Sequence, residues 1–318
     1  MRSALQSGMS TARHLPQWRQ EAETAPGRVE VQPFHDERTS TLTYVVWDEA
    51  SRIGVVIDPV RDLDPKNGHT WLASCESVAA FVDAHGLAVP FVLETHAHAD
   101  HLSGVPFFKK RYGSRSVIGA EITRVQATFR QVFGLADLPV DGRQFDVLVH
   151  DGDALDVGPF RIEVLHTPGH TPACVTYRIG DRLFVGDVMF MPDYGVGRCD
   201  FPGGSAEALW DSIQRLYALP ERTRVFVGHD YRPGGRPVRW ETSIGQQRGA
   251  NVQSNARTAR DDFLAFRRRR DAQLEAPVLL LPSMQVNIRA GELPPPDANG
   301  IRYLRLPLNA LSPGGERA

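Results

Sequence analysis

From about Arg28 onward the chain alternates between short apolar runs and polar breaks, and most runs end in glycine, aspartate or histidine. Runs of this length that are rich in β-branched residues and bounded by turn residues are typical of buried strands. The pattern predicts strands at Thr43–Trp47, Ile53–Asp58, Pro90–Glu94, Ser116–Gly119, Phe145–Val149, Arg161–Leu165, Cys174–Ile179, Arg182–Gly186 and Arg224–Gly228.

Segments with helical spacing separate some of these strands. They are predicted at Leu72–His85, Val105–Tyr112, Glu121–Phe133 and Ser205–Leu219, with Ser74 and Ser205 as helix N-caps. Most strands follow one another too closely for crossover helices, so the pattern predicts a sheet sandwich flanked by helices. A doubly wound nucleotide-binding fold fits less well, since neither its glycine-rich turn nor a phosphate loop is present.

The composition changes at both ends of this strand-rich region. The segment Met1–Arg19 contains three arginines, no acidic residue and no continuous apolar stretch, so we expect residues 1–28 to be a disordered leader; an organelle transit segment is the alternative. Residues 29–240 form the predicted core, and 241–318 a C-terminal extension packed on it. The extension begins with a polar helical stretch, Glu241–Leu274, in which the basic run Arg267–Arg270 is flanked by acids and predicts a solvated helix face.

Composition and charge exclude several classes of function. Hydrophobic residues make up 42% of the chain, and the net charge is -2, so we expect a globular protein without a field that attracts nucleic acid or an anionic membrane. No apolar run approaches the ~20 residues that span a bilayer. Three scattered cysteines indicate a reducing compartment, so the predicted location is the cytoplasm. A homo-oligomer is compatible with the sequence, which does not fix the oligomeric state.

Candidate chemistry begins directly after the predicted strand Pro90–Glu94, in the segment His-Ala-His-Ala-Asp-His. If the extended conformation continues, His96 and His98 point to the same side, because side chains in a strand repeat every two residues. Both imidazoles can then reach one metal ion. Asp100 and His101 follow where the chain turns, and they are placed to face a second metal position.

Three further groups follow the ends of later strands. In the segment His166–Thr171, a Pro-Gly turn presents His170, whereas His166 is expected to orient the turn. In the second group a glycine precedes Asp187, which supplies an oxygen ligand. In the third, His229 follows Gly228.

The four motifs H-x-H-x-D-H, T-P-G-H-T, G-D and G-H occur in an order that resembles the metallo-β-lactamase superfamily, over about residues 29–231. The resemblance implies an α+β fold, the αβ/βα sandwich of two mixed sheets flanked by helices, with the site at one edge of the sheets. Many reactions use this fold, so membership alone does not define one.

The stretches Gly186–Phe201 and Gly228–Tyr231, with the tail motifs around Pro282–Asn287 and Leu306–Ala310, are similar to the persulfide (sulfur) dioxygenases, particularly the bacterial β-lactamase-like hydrolase subgroup. That similarity implies one Fe(II) per chain and oxidation of glutathione persulfide with O2 to sulfite and glutathione, in sulfide detoxification. The implied ligands and catalytic residues are His96, His170 and Asp187. Two imidazoles and a carboxylate leave adjacent positions open on iron.

The other ligand-type residues allow a second interpretation. The similarity to the dioxygenases implies that these residues form an outer shell around the iron ligands. They are His98, Asp100, His101 and His229. The same residues complete a site for two Zn(II) ions, so the alternative is a glyoxalase II-like thioester hydrolase with a metal-activated water. The stretch Gly186–Phe201 favours the dioxygenase.

Four residues are candidate substrate contacts. Arg198 is placed to pair with a glutathione carboxylate or to hold the Asp187 loop. Tyr194 and Tyr231 are placed to line the thiol pocket, and Arg248 to contact substrate, although a surface position is the simpler expectation for it. The thiol carrier itself, whether glutathione, coenzyme A or a smaller thiol, is left open by the sequence.

Overall fold

The computed structural model describes residues 28–310, so the predicted leader lies outside the described residues apart from Arg28. The strands are β1 Val29–His35, β2 Leu42–Asp48, β3 Ile53–Ile57, β4 Val60–Asp64, β5 His69–Trp71, β6 Ala88–Leu93, β7 Leu102–Ser103, β8 Arg115–Gly119, β9 Val147–Val149, β10 Ala154–Val157, β11 Phe160–His166, β12 Val175–Ile179, β13 Arg182–Phe184, β14 Arg224–Phe226 and β15 Glu241–Ser243. The helices are α1 Ala73–Ala84, α2 Val105–Tyr112, α3 Ile122–Val132, α4 Ala206–Tyr217, α5 Ile244–Ala250, α6 Arg260–Asp271 and α7 Leu280–Asn287.

Two mixed six-stranded sheets form a sandwich. Their strand orders are β1-β2-β3-β6-β8-β9 and β10-β11-β12-β13-β14-β15. β3 runs parallel to β6, with Val55 opposite Phe91, and β13 runs parallel to β14. The apolar faces of both sheets share one core, in which Leu93 and Tyr177 are fully buried. The predicted sandwich is therefore confirmed.

Helices cover the outer faces of both sheets. α1 and α2 pack on the first sheet through side chains such as Val78 and Phe108, which lie among Val45 and Val92. α3 and α7 share a second cluster that includes Phe129. The arrangement agrees with the expectation that helices flank the sheets. No helix in the described part of the chain is long and apolar enough to cross a membrane.

The predicted strands are all present within a few residues of their expected ends, but one of the two predicted N-caps is wrong. Ser205 caps α4, and its hydroxyl accepts a hydrogen bond from the Ala208 N–H at 3.1 Å. At α1 the capping position is Leu72 instead. The Ser74 hydroxyl donates to the carboxylates of Asp36 and Asp62, at 3.0 and 2.9 Å, and thereby joins α1 to the loop after β1 and to strand β4.

Replacement of Ser205 by alanine is expected to destabilise the protein by about 1 kcal/mol, because the Ala208 N–H loses its acceptor at the first turn of α4. The midpoint of urea-induced unfolding measures the change. The conservative variant Ser205→Asp serves as the control, since its carboxylate keeps an acceptor at the cap. An unchanged midpoint in Ser205→Ala would show that this cap contributes nothing.

The C-terminal extension differs from its prediction in two ways. The stretch predicted as one helical segment contains a strand, β15, and two helices, α5 and α6. In addition, Arg267 is buried, with 2% of its surface exposed, so the predicted solvated face is wrong for this residue. α6 turns Phe263, Leu264 and Arg267 toward the protein, whereas the rest of the basic run faces solvent.

Candidate metal centre

The motif residues gather because their strands end at the same edge of the sandwich. His96 and His98 follow β6, His170 follows β11, Asp187 follows β13 and His229 follows β14. All five side chains are buried. The structure therefore brings together groups that lie more than 130 positions apart in the chain.

His96, His170 and Asp187 offer three ligand atoms that all lie within 4.8 Å of one another. Nε2 of His96 and Oδ1 of Asp187 are buried and have no hydrogen-bond partner among residues 28–310. His170 Nε2 lies 3.6 Å from Asp187 Oδ2. Buried polar atoms without partners are costly, and lone pairs that converge on one point are satisfied by a cation. The chemistry of this donor set fits a metal ion.

The second nitrogen of each of these two imidazoles is fixed by a neighbour. The Thr95 hydroxyl donates to Asp58 at 2.8 Å, so it accepts from His96 Nδ1–H at 3.0 Å. His170 Nδ1–H donates to the Arg198 carbonyl at 2.8 Å. Both rings therefore present the Nε2 lone pair to the site. Burial, together with the nearby His98 and His170, lowers the pKa of His96 well below its usual value, which favours the neutral imidazole that a metal needs.

Two glycines allow this close approach of segments. Gly186, next to Asp187, has φ +50°, and a Cβ at this position would lie 2.5 Å from Thr95 Oγ1. Gly169, next to His170, has φ +141°, and its Cβ would lie 2.4 Å from the backbone of Leu209. A larger residue at either position would strain the backbone and displace a ligand.

His98 lies beside the three-residue cluster and contacts two carboxylates. Its Nε2 is 3.1 Å from Asp58 Oδ1 and 3.1 Å from Glu94 Oε2. Burial acts to lower the pKa of His98, but Asp58 and Glu94 outweigh it and raise this pKa well above the usual value. Neither Asp58 nor Glu94 is among the site residues predicted from the sequence. The signal was available, because each follows or ends a buried strand, as Asp187 does.

Asp100, His101 and His229 form the other side of the centre. His229 Nε2 lies 3.3 Å from Asp187 Oδ1 and 3.5 Å from Asp100 Oδ2. His101 Nδ1 lies 3.4 Å from Asp100 Oδ2, and its Nε2 has no hydrogen-bond partner in the described part of the chain. Burial acts to raise the pKa of Asp100, but His229 and His101 hold it well below its usual value. His98, Asp100 and His101 form a second candidate cluster with ligand atoms within 4.8 Å.

A cavity of about 640 Å³ opens onto Asp100, His170 and Asp187. Tyr194 and Tyr231 both line it, and their rings lie 4.6 Å apart. The Tyr231 ring also stacks on His229, at 5.5 Å and an interplanar angle of 15°. The wall next to the metal cluster is therefore aromatic.

The two arginines predicted as substrate contacts differ in their positions. Arg198 lines the cavity, but its guanidinium makes a two-point ion pair with Asp200 and donates to the Glu275 carbonyl at 2.7 Å. These contacts fix Arg198, whose own backbone carbonyl accepts from His170 Nδ1–H. Arg248 does not line the cavity; it lies near the surface, 3.4 Å from Glu221, so the structure corrects its assignment as a substrate contact.

His166 has the predicted orienting position. Its Nε2 is 2.8 Å from the Pro172 carbonyl, across the turn that presents His170. It is not part of either candidate cluster.

Comparison with known proteins agrees with the fold and the motifs. Residues 36–229 match the family model of the Metallo-beta-lactamase superfamily. The chain is 47% identical over 281 residues to a beta-lactamase hydrolase-like protein of Xylella fastidiosa; this covers 88% of the chain but only 65% of that relative. It is 43% identical to glyoxylase B2 of Dictyostelium discoideum, covering 89% of the chain and 98% of the relative.

Two further relatives carry a more specific name. The mitochondrial persulfide dioxygenase ETHE1 of Bos taurus is 32% identical over 200 residues, which covers 62% of the chain and 66% of that protein. The crystal structure of ETHE1 from Myxococcus xanthus superposes with a TM-score of 0.66 and 30% identity, over 83% of this chain and all of that one. The fold, the His/Asp clusters and the match over residues 36–229 together show that the chain belongs to the metallo-β-lactamase superfamily of metal-binding enzymes.

Proposed function

We propose that the protein is a persulfide dioxygenase that oxidises glutathione persulfide with O2, with one Fe(II) per chain held by His96, His170 and Asp187. The observation that carries the proposal is the convergence of two imidazole nitrogens and one carboxylate, with His170 and Asp187 also lining the cavity. The similarity to the ETHE1 persulfide dioxygenases supports it. The reaction would serve sulfide detoxification.

The overall reaction converts persulfide, O2 and water to thiol and sulfite. The terminal sulfur loses four electrons, O2 accepts them, and water supplies the third oxygen of sulfite; the S–S bond breaks and the carrier leaves as the thiol. Bound Fe(II) would supply redox chemistry and open coordination positions, which d¹⁰ zinc would not supply for O2 activation. Orientation of both reactants at one centre replaces an encounter in solution.

The residues of this chain hold the donor set and shape the thiol site. Thr95 fixes the ring of His96, and the Arg198 carbonyl fixes the ring of His170, so both nitrogens stay aimed at one point. Tyr194 and Tyr231 form the aromatic wall against which the carrier's sulfur arm packs. His229, stacked on Tyr231, connects this wall to Asp187. We propose that His98, Asp100, His101 and His229 orient the centre without binding the iron.

A second function is supported by the second cluster, which consists of His98, Asp100 and His101. These groups, with His229, would complete a two-zinc centre that activates water for attack on a thioester. The name of the Dictyostelium relative, glyoxylase B2, belongs to the same class of chemistry. The alternative is therefore a glyoxalase II-like thioester hydrolase.

One experiment distinguishes the persulfide dioxygenase from the thioester hydrolase. The protein is purified without oxygen, its iron and zinc are quantified, and it is assayed for O2 uptake with glutathione persulfide and for hydrolysis of a lactoylglutathione-type thioester. We expect one iron per chain and O2 uptake with sulfite formation. Two zinc ions per chain together with thioester cleavage would overturn the dioxygenase proposal.

A further inference from the structure

Three arginines that line the cavity, Arg38, Arg61 and Arg270, have no carboxylate partner among residues 28–310. The other cavity arginines differ, since Arg198 pairs with Asp200 and Arg267 with Asp271. Because only two of the five guanidiniums beside the cavity have a carboxylate partner, the N–H donors of the other three are available for a ligand.

Arg38 and Arg61 lie on the same wall of the cavity. Arg38 lies in the loop after β1, with its guanidinium 4.7 Å from the centre of the Trp71 ring. Arg61 lies in β4 and is half-buried; it donates from Nη2 to the Thr70 hydroxyl at 3.3 Å, while its Nε is buried with no hydrogen-bond partner among the described residues. A half-buried charge with an unused donor favours a bound anion. Trp71 and Thr70 hold these two guanidiniums in place.

The third arginine comes from another element. Arg270 lies in the last turn of α6, exposed to solvent, and lines the same cavity as the loop after β1. Arg38, Arg61 and Arg270 therefore bring positive charge to the cavity from both the N-terminal part of the chain and the C-terminal extension.

The acids of the cavity are largely engaged within the chain. Asp36 accepts from the Thr39 N–H and from Ser74, Asp62 also accepts from Ser74, and Asp193 pairs with Arg236. Glu275 lies exposed at the rim. The carboxylates of Asp36, Asp62 and Asp193 therefore have donors of their own within the chain, and the N–H groups of the three arginines remain available to a ligand.

We propose that Arg38, Arg61 and Arg270 are specificity-determining residues that bind the carboxylates of the thiol carrier; this rests on the proposed function. Glutathione carries one carboxylate at its γ-glutamyl end and one at its glycyl end, with the sulfur between them. Guanidinium forks match carboxylates in geometry as well as charge. The cavity volume lies within the ~300–1,000 Å³ of small-molecule sites. The carrier is thus a short dicarboxylic peptide thiol.

The test measures binding of glutathione itself to the metal-loaded protein by anaerobic calorimetry. Arg61→Gln and Arg270→Gln are each expected to weaken binding about tenfold, the usual effect of losing one charge-assisted hydrogen bond. Arg38→Gln should act in the same direction. Glutathione diethyl ester, which lacks both carboxylates, should bind weakly and equally to all of them. In O2-uptake assays the KM for glutathione persulfide should rise while kcat stays unchanged.

Arg269→Gln is the matched control. Arg269 is exposed on the same helix as Arg270 and does not line the cavity, so the same charge is lost without loss of binding. Should Arg61→Gln fail to fold, the exposed positions Arg38 and Arg270 decide the result.

The outcomes separate this inference from the proposed function. Glutathione binding that is unaffected in all three variants, or tighter arginine-dependent binding of coenzyme A, would overturn the inference while O2 uptake could persist. Arginine-dependent glutathione binding in a protein that cleaves thioesters and consumes no O2 would overturn the dioxygenase and leave the inference standing.

Discussion

Asp187→Ala is expected to leave the purified protein almost free of iron and to reduce O2 uptake at least ~100-fold. Asp187 provides the only carboxylate in the cluster with His96 and His170. Loss of an outer-shell partner already costs about 10–100-fold in metal affinity, so loss of a direct ligand costs more. Metal analysis after anaerobic purification and an oxygen electrode measure the two effects.

His229→Ala provides the comparison. His229 lies 3.3 Å from Asp187 Oδ1 but is not among the three ligand atoms of the cluster, so this variant should keep most of its iron. Circular dichroism of both variants checks that each is folded. Equal iron loss in the two would place His229 in the coordination sphere and favour the two-metal centre.

The motif residues were predictable because each signal is local. A histidine or aspartate after a buried strand, beside glycine or proline, marks a strand end, and His170 and Asp187 satisfy this rule. His96 follows the buried strand β6 as the first histidine of an H-x-H repeat. The sandwich followed from the spacing of apolar runs. Neither inference needs knowledge of which strands are neighbours.

Other features depend on contacts between distant segments. The hairpin of β4 and β5 is short and rich in charged residues, so its sequence resembles a loop, yet it carries Arg61 into the cavity wall. Ser74 has the right residue type for a cap, but Asp36 and Asp62 compete for its hydroxyl. Which member of a basic run is buried depends on the face that α6 turns inward, and the four consecutive arginines do not encode it.

The burial of Arg267 is the most consequential result of the way α6 packs on the protein. This arginine is buried in α6, and its guanidinium donates to Asp271 and to the Gln253 side chain. Asp271 in turn accepts from the Cys199 N–H at 3.0 Å. The extension thereby holds the loop that follows Asp187, and we propose that its described part, residues 241–310, serves as a support for the metal centre.

Arg267→Met is expected to destabilise the protein by about 3–5 kcal/mol, because it leaves the carboxylate of Asp271 buried without its partner. The midpoint of urea-induced unfolding measures this loss. The matched control is Arg268→Met, one position along the same helix: Arg268 is exposed and pairs with Glu207 at the surface, so its loss should change stability by less than about 1 kcal/mol.

A double variant distinguishes a lost ion pair from lost packing. In Arg267→Met with Asp271→Asn, the amide oxygen still accepts from the Cys199 N–H, while the unpaired charge is gone, so part of the stability should return. Because Cys199 follows Arg198, whose carbonyl fixes His170, iron retention should fall in Arg267→Met and recover with the double variant. If Arg267→Met unfolds at the same urea concentration as Arg268→Met, the buried pair does not hold the site loop, and the extension does not act on the metal centre through α6.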